Sequence, residues 1–176
     1  MRPDKSIRVQ KLRIPTPHGG IPALLLSPVD APSNATGVLW LHGGGYAVGM
    51  KEMVYASRAA DLVRDFGAVV LSPGYRLSPL APYPAALDDC FTALHYLKRH
   101  AASFGVRSDQ LMVGGESAGV PAELDVYHSD MHAFDMMRPD DVLSIQAAEA
   151  FNTRFADAQA RFFAPQHEIQ EERHDS

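Results

Sequence analysis

The chain has 176 residues, of which 46% are hydrophobic and 21% charged, a size and composition suited to one globular domain rather than two. Its net charge of −5, without a basic stripe or tail, argues against a nucleic-acid or anionic-membrane partner. A lone cysteine, Cys90, excludes an internal disulfide and suits a reducing compartment, so we expect a cytoplasmic location. No apolar run has transmembrane length, and residues 1–5 lack the apolar stretch of a signal peptide.

The N-terminal part of the sequence predicts a β-hairpin followed by a buried strand. Residues 9–14 and 21–26 are strand-like, and residues 16–20 between them are turn-forming types, which favours a hairpin. Residues 37–41 form an apolar run typical of a strand covered on both faces. The runs 68–72 and 110–113 have the same character and predict two more buried strands.

Three helices are predicted from apolar residues at helical spacing. The first ends at Gly67, and its stripe is Tyr55, Ala59, Leu62 and Phe66. The second begins near Pro84 and ends at Gly105, with the stripe Leu87, Cys90, Leu94, Leu97, Ala101 and Phe104. The third is capped by Asp140 or Asp141, and its stripe is Ala148, Phe151, Phe155, Ala158 and Phe162.

Strands and helices alternate from residue 37 to residue 113, which predicts right-handed crossovers and a parallel sheet with helices on both faces. We therefore expect the α/β class, with a mostly parallel sheet and an N-terminal antiparallel hairpin. Residues 1–164 should form a single domain. The charged residues 165–176 should form a disordered tail.

Two glycine-rich strings, each directly after an apolar strand, carry the chemical signal. Residues 115–119 read G-E-S-A-G, a G-x-S-x-G pattern that presents the Ser117 hydroxyl on a sharp turn. Residues 42–45 read H-G-G-G and supply backbone whose N–H groups can face an oxyanion. We expect His42 to hold this loop by hydrogen bonding rather than to transfer protons. In this order the two strings point to a serine hydrolase of the α/β-hydrolase type.

With three further strings, the sequence resembles the hormone-sensitive-lipase-like branch of the α/β-hydrolases, bacterial esterases that act on carboxylic esters. These strings are Y-R-L at residues 75–77, Y-P-A-A at 83–86, and Tyr127 with M-H-A-F at 131–134. The resemblance runs from about residue 9 to about residue 162, and makes this a partial α/β-hydrolase fold.

The resemblance implies a role for particular residues. Ser117 would be the nucleophile, and His132 the general base that takes its proton. The N–H groups of Gly43, Gly44, Gly45 and Ala118 would form the oxyanion hole. A small-molecule ester is the implied substrate, and neither a cofactor nor a metal is expected.

The sequence departs from the family pattern between Ser117 and His132, where only residues 118–131 intervene. In the family this interval holds a helix, two strands, part of a lid and the acidic member of the triad, so the acid has no matching position here. A helix over the interval would separate the two side chains by roughly 22 Å. A strand over the interval could only pair antiparallel with the strand that ends near Gly114. It would then separate the Ser117 and His132 side chains by about 20 Å.

Two interpretations therefore stay open. The chain is either a working carboxylesterase or a catalytically impaired, shortened relative that acts as a binding or interaction module or is a deletion product. Homo-oligomers could form in two ways: through an exposed sheet edge left by the missing strands, or by exchange of the C-terminal segment, which would supply His132 in trans.

Three other side chains have structural interpretations. Arg76 is expected to form an ion pair or anchor a turn. Asp88 and Asp89, early in the second helix, are expected to be solvated or to cap it. Cys90 falls on the apolar stripe and is expected to fill the core rather than to react.

Overall fold

The computed structural model describes residues 5–17, 19–30, 32–116 and 138–162. Ser117, Ala118 and His132 lie outside these residues, as do the predicted domain end at residue 164 and the tail 165–176. In the described part the chain order is β1 (Ile7–Ile14), β2 (Ile21–Pro28), β3 (Ala35–Leu41), α1 (Arg58–Phe66), β4 (Val69–Pro73), α2 (Ala85–Arg99), β5 (Val106–Gly115) and α3 (Val142–Phe162). Short 3₁₀ helices occupy Lys51–Ala56 and Ala102–Phe104. Within these ranges no helix is both long and apolar enough to cross a bilayer.

The five described strands form one mixed sheet in the order β1-β2-β4-β3-β5. β1 and β2 are the predicted antiparallel hairpin, in register from Ile7 opposite Pro28 to Ile14 opposite Ile21. β3 lies between β4 and β5 and runs parallel to both, as predicted. β2 pairs antiparallel with β4 and so joins the hairpin to the parallel part.

Helices cover both faces of the sheet, which confirms the α/β prediction. On one face α2 buries Cys90, Ala93 and Leu97 in a core cluster with Leu39 and Leu71. Cys90 is therefore a core residue, as expected. The second cluster lies on the other face, where α1 and α3 contribute Leu62, Val63 and Phe155 beside Trp40 and Val70.

The first predicted helix is in fact two elements. Tyr55 belongs to the 3₁₀ helix, and α1 begins only after Ser57, whose hydroxyl accepts a hydrogen bond from the N–H of Ala59 (3.2 Å). A serine at this N-cap position satisfies an N–H that has no partner within the helix. Gly67 ends α1 as predicted, in the left-handed conformation (φ 65°), with its N–H bonded to the carbonyl of Leu62.

The second helix differs from its prediction at both ends: α2 ends at Arg99, and the predicted stripe residues Ala101 and Phe104 follow it, Phe104 in a 3₁₀ helix. Leu87 is 41% exposed, so the fully buried apolar residues of α2 start at Cys90 rather than at Leu87. Gly105 follows the 3₁₀ turn in the left-handed conformation and terminates the helical segment, as predicted.

α3 follows the predicted stripe where the side chains are described. Phe155 packs edge-on against Phe66 of α1, with 5.0 Å between ring centroids. Phe151 packs in the same way against Trp40 (6.1 Å), and the amide of Gln159 donates to the hydroxyl of Thr36 (2.7 Å). The carbonyl of Asp141 accepts the N–H of Ile145, which places Asp141 at the start of the helix.

β5 is longer and more exposed than the predicted buried strand over 110–113. It extends from Val106 to Gly115, with a register irregularity opposite Ala35 and Gly37, and Arg107 near its start pairs with Asp109 (2.7 Å). Among the described strands it pairs with β3 alone, and Val113 is 44% exposed. β5 is therefore the edge of the described sheet, which is why its residues are only half-covered.

Candidate active site

The parallel strands β3 and β5 end side by side at the carboxyl edge of the sheet. Trp40 lies opposite Gly114, and Leu41 lies opposite Gly115. The N–H of Glu116 then donates to the carbonyl of Leu41 (3.2 Å). β3 continues into residues 42–49, which we call the glycine loop, and β5 leads in sequence to Ser117. Ligands of open α/β sheets bind at this edge, and the register brings Gly115 and Glu116 beside the start of the glycine loop.

Two glycines permit the close approach of β5 to β3 at this point. A Cβ on Gly114 would lie 2.9 Å from Cζ3 of the Trp40 ring, and one on Gly115 would lie 2.6 Å from the carbonyl oxygen of Leu41. Any larger residue would push the end of β5 away from the glycine loop. Sequence reasoning assigned Gly115 only to the serine turn and gave Gly114 no role, because the need for close approach depends on the facing strand.

The glycine loop turns sharply through residues with positive φ. These are Gly44 (118°), Gly45 (57°), Tyr46 (62°) and Gly49 (111°). The carbonyl of Gly44 accepts the N–H groups of Ala47 (3.0 Å) and Val48 (3.1 Å), which closes the turn. A positive φ strains the backbone of most residues but not that of glycine. The glycines at positions 44, 45 and 49 therefore permit this turn.

The carbonyls of the loop are engaged and point away from the N–H groups that follow them. The carbonyl of His42 accepts a hydrogen bond from the Tyr75 hydroxyl, and the carbonyl of Gly43 accepts one from the His42 ring. The carbonyl of Gly44 accepts the backbone N–H groups of Ala47 and Val48. In the described part of the chain, no acceptor is paired with the N–H groups of Gly43, Gly44 or Gly45. Three consecutive unpaired N–H groups are a site that an anion can occupy.

His42 is a buried structural side chain, as predicted. Its Nδ1 lies 2.9 Å from the carbonyl oxygen of Gly43, which can only accept, so Nδ1 carries the proton and Nε2 does not. Burial lowers the pKa of His42 below its ordinary value, against smaller opposing effects of this hydrogen bond and the charge of Glu52. The imidazole is therefore neutral at physiological pH.

Tyr75 is the residue that sequence reasoning missed. Its hydroxyl donates to the carbonyl of His42 (2.7 Å), and its ring lies face to face with the imidazole, with 4.1 Å between centroids and 7° between planes. Burial, with a smaller effect of Cys90, raises the pKa of Tyr75 well above its usual range, so the hydroxyl stays protonated. Tyr75 was noted only as part of a family string, and no pattern along the chain indicates its contact with His42.

Arg76 forms the expected ion pair, and its partner is Asp89, for which the prediction was wrong. Asp89 is neither solvated nor a cap: it is 4% exposed, and its oxygens accept from Nε and NH2 of Arg76 (2.8–3.2 Å). One oxygen also accepts the backbone N–H of Arg76 (2.9 Å). This arrangement ties the segment that carries Tyr75 to helix α2.

Comparison with known proteins agrees with this geometry. A sequence profile of a protein family described as having the α/β-hydrolase fold matches residues 38–121. Hormone-sensitive lipase of Bos taurus is 34% identical over 96 residues, covering 54% of this chain and 13% of that protein. An ethyl acetate hydrolase of Pseudomonas putida is 38% identical over 93 residues, covering 52% of this chain and 29% of the relative. Among solved structures, a bacterial heroin esterase superposes with a TM-score of 0.59 at 28% identity, over 64% of this chain and 36% of that one.

The fold, with its glycine loop at the ends of adjacent parallel strands, is that of an α/β-hydrolase. Its sequence is similar to hormone-sensitive lipase and to relatives that are named as an esterase and an ethyl acetate hydrolase. The chain spans about a third or less of the length of the proteins it matches.

Proposed function

We propose that the chain hydrolyses small carboxylic esters, with Ser117 as nucleophile and the glycine loop as part of an oxyanion hole. The observation that carries this proposal is a set of three N–H groups, at Gly43, Gly44 and Gly45, beside the end of β5. None of them has an acceptor among the residues that the structure describes. The relative that is named an ethyl acetate hydrolase supports a short acyl group in the substrate. The lone, buried cysteine supports a cytoplasmic location.

The proposed reaction is acyl transfer in two steps. The Ser117 hydroxyl attacks the ester carbonyl while His132 takes its proton, and the carbonyl oxygen becomes an oxyanion held by the loop and by the N–H of Ala118. Collapse of this intermediate releases the alcohol, which takes the proton, and leaves an acyl-serine. Water then repeats the sequence and releases the acid. Each oxyanion donor lowers the barrier by about 3 kcal/mol.

The nucleophile is tested by comparing Ser117→Ala with the unsubstituted chain in a short-chain aryl ester assay. Ser103→Ala is the matched control, because Ser103 is exposed and bonded only to the carbonyl of His100 among the described contacts. We expect Ser117→Ala to abolish turnover, Ser103→Ala to retain it, and a fluorophosphonate to label Ser117. Equal rates in all three proteins would refute the esterase proposal and favour the alternative, a non-catalytic binding module.

The source of the base is tested by mixing two inactive variants. If His132 acts in trans through an exchanged C-terminal segment, Ser117→Ala and His132→Ala subunits refolded together will form dimers with one competent site. Activity of the mixture, with neither variant active alone, would establish exchange. If the mixture is inactive while the unsubstituted chain is an active monomer, Ser117 and His132 act within one subunit.

A further inference from the structure

We propose that Tyr75 is a positioning residue for the oxyanion hole, acting through the carbonyl of His42. The chemical meaning of this inference rests on the proposed function. Its structural content, that the Tyr75 hydroxyl sets the direction of the Gly43 N–H, can be tested without turnover.

The argument starts from the geometry of one peptide bond. The carbonyl of His42 and the N–H of Gly43 belong to the same planar trans peptide and therefore point in opposite directions. The hydroxyl of Tyr75 holds that carbonyl at 2.7 Å, so it also fixes where the Gly43 N–H points. A flip of this peptide would turn the N–H away from the anion position and leave the buried phenol hydroxyl without its acceptor, which is unfavourable.

The ring of Tyr75 restrains the next peptide as well. The His42 imidazole is confined between the Tyr75 ring and Gly49, where a Cβ would lie 2.6 Å from Nδ1. Held in this slot, Nδ1–H donates to the carbonyl of Gly43 and fixes the direction of the Gly44 N–H by the same planarity. One phenol side chain thus orients two consecutive amides.

Tyr75 is itself held from both sides along the chain. On one side the N–H of Gly74 donates to the carbonyl of Pro22 (2.7 Å). On the other, Arg76 is bonded through its backbone and its guanidinium to the buried carboxylate of Asp89. The phenol therefore belongs to a segment that is anchored to β2 and to α2 as well as to the glycine loop.

Tyr75→Phe removes the hydroxyl and keeps the ring stacked on His42. Tyr96→Phe is the matched control, because Tyr96 also lies on α2's side of the sheet but packs against His100 and Phe104. We expect Tyr75→Phe to broaden or double the backbone amide NMR signals of Gly43 and Gly44, and Tyr96→Phe to leave them unchanged. In the esterase assay kcat should fall about 10- to 100-fold with KM within about threefold, the pattern of lost transition-state stabilisation.

The amide signals decide the inference even if the unsubstituted chain shows no turnover, an outcome that would refute the proposed function alone. Unchanged Gly43 and Gly44 signals in a folded Tyr75→Phe protein would overturn it. If that variant does not fold, the hydroxyl proton of Tyr75 in the unsubstituted chain gives the answer. A slowly exchanging proton with a nuclear Overhauser effect to His42 supports the inference, and a rapidly exchanging one overturns it.

Discussion

Gly44 lies directly against the backbone of Val48, so that a Cβ on Gly44 would overlap the carbonyl oxygen of Val48. The neighbouring Gly45 has no atom within 4 Å of the corresponding position. We therefore expect Gly44→Ala to displace the loop and lower kcat/KM by about 100-fold or more, the size of one lost oxyanion donor. Gly45→Ala should cost only the strain of its left-handed backbone, about 1 kcal/mol, and change kcat/KM by less than about tenfold.

Kinetics and urea unfolding of the two variants test this difference. Both substitutions add the same methyl group one residue apart, so each is the other's control for composition. Equal activity losses would show that the space beside Gly44 does not decide the shape of the loop.

The neutral state of His42 makes stability depend on pH. Burial lowers its pKa in the folded protein below the ordinary value of 6.5, so the unfolded chain binds a proton at a higher pH than the folded chain does. Its contribution to stability is therefore complete above about pH 6.5 and decreases as the pH falls towards the lower folded pKa. Unfolding by urea at pH 7.5 and pH 5.5 should show a smaller decrease in His42→Asn, whose amide can replace Nδ1–H. An identical decrease in both proteins would contradict this assignment.

The thiol of Cys90 should be unreactive towards thiol-specific reagents in the folded protein. It is buried, and burial together with the charge of Asp89 raises the pKa of its thiol to about 12, whereas the thiolate is the reactive form. A thiol-specific reagent at pH 8 should modify the native chain much more slowly than the urea-unfolded chain. Equal rates would mean that this side of α2 opens readily to solvent.

The edge that β5 forms in the described sheet should promote self-association. Among the described strands β5 pairs only with β3, and Val113 near its end is partly exposed. We propose that two chains associate through this edge, because unpaired N–H and carbonyl groups on a long strand recruit another strand. Val113→Lys should shift a sedimentation profile towards monomer, since lysine on an edge opposes pairing. A monomeric unsubstituted chain at high concentration would refute the proposal.

The packing of α3 on α1 should contribute measurably to stability. Phe155 is buried against Phe66, and its removal leaves a cavity, so Phe155→Ala should reduce the free energy of unfolding by about 3 kcal/mol or more. Phe91→Ala is the control, because Phe91 on α2 is 52% exposed, and it should change stability much less. Similar losses in both variants would argue against α3 as part of the cooperative unit.

Local patterns predicted the elements of this fold well, because each depended on residues close in sequence. Gly67 and Gly105 end helical segments as expected, and the predicted hairpin forms, with strands that extend two residues beyond each prediction. The start of β5 was missed because Arg107 and Asp109 interrupt its apolar run while pairing with each other.

The errors at the candidate site arise from contacts between distant parts of the chain. Asp89 looks like a solvated helix residue until Arg76 is brought against it. Likewise, nothing near Tyr75 in sequence indicates that its hydroxyl meets the carbonyl of His42. The first relationship depends on how α2 lies on the sheet and the second on the pairing of β3 with β4, and periodicity alone determines neither.

Among the described residues, the hydrogen bonds to the carbonyls of His42, Gly43 and Gly44 come from residues 42–48 and from Tyr75. In the proposed reaction, the part of the oxyanion hole that the glycine loop supplies is therefore oriented independently of the group that accepts the proton. The glycine loop could therefore be combined with imidazole in the buffer, or placed beside a different nucleophile, and its N–H groups should keep their orientation.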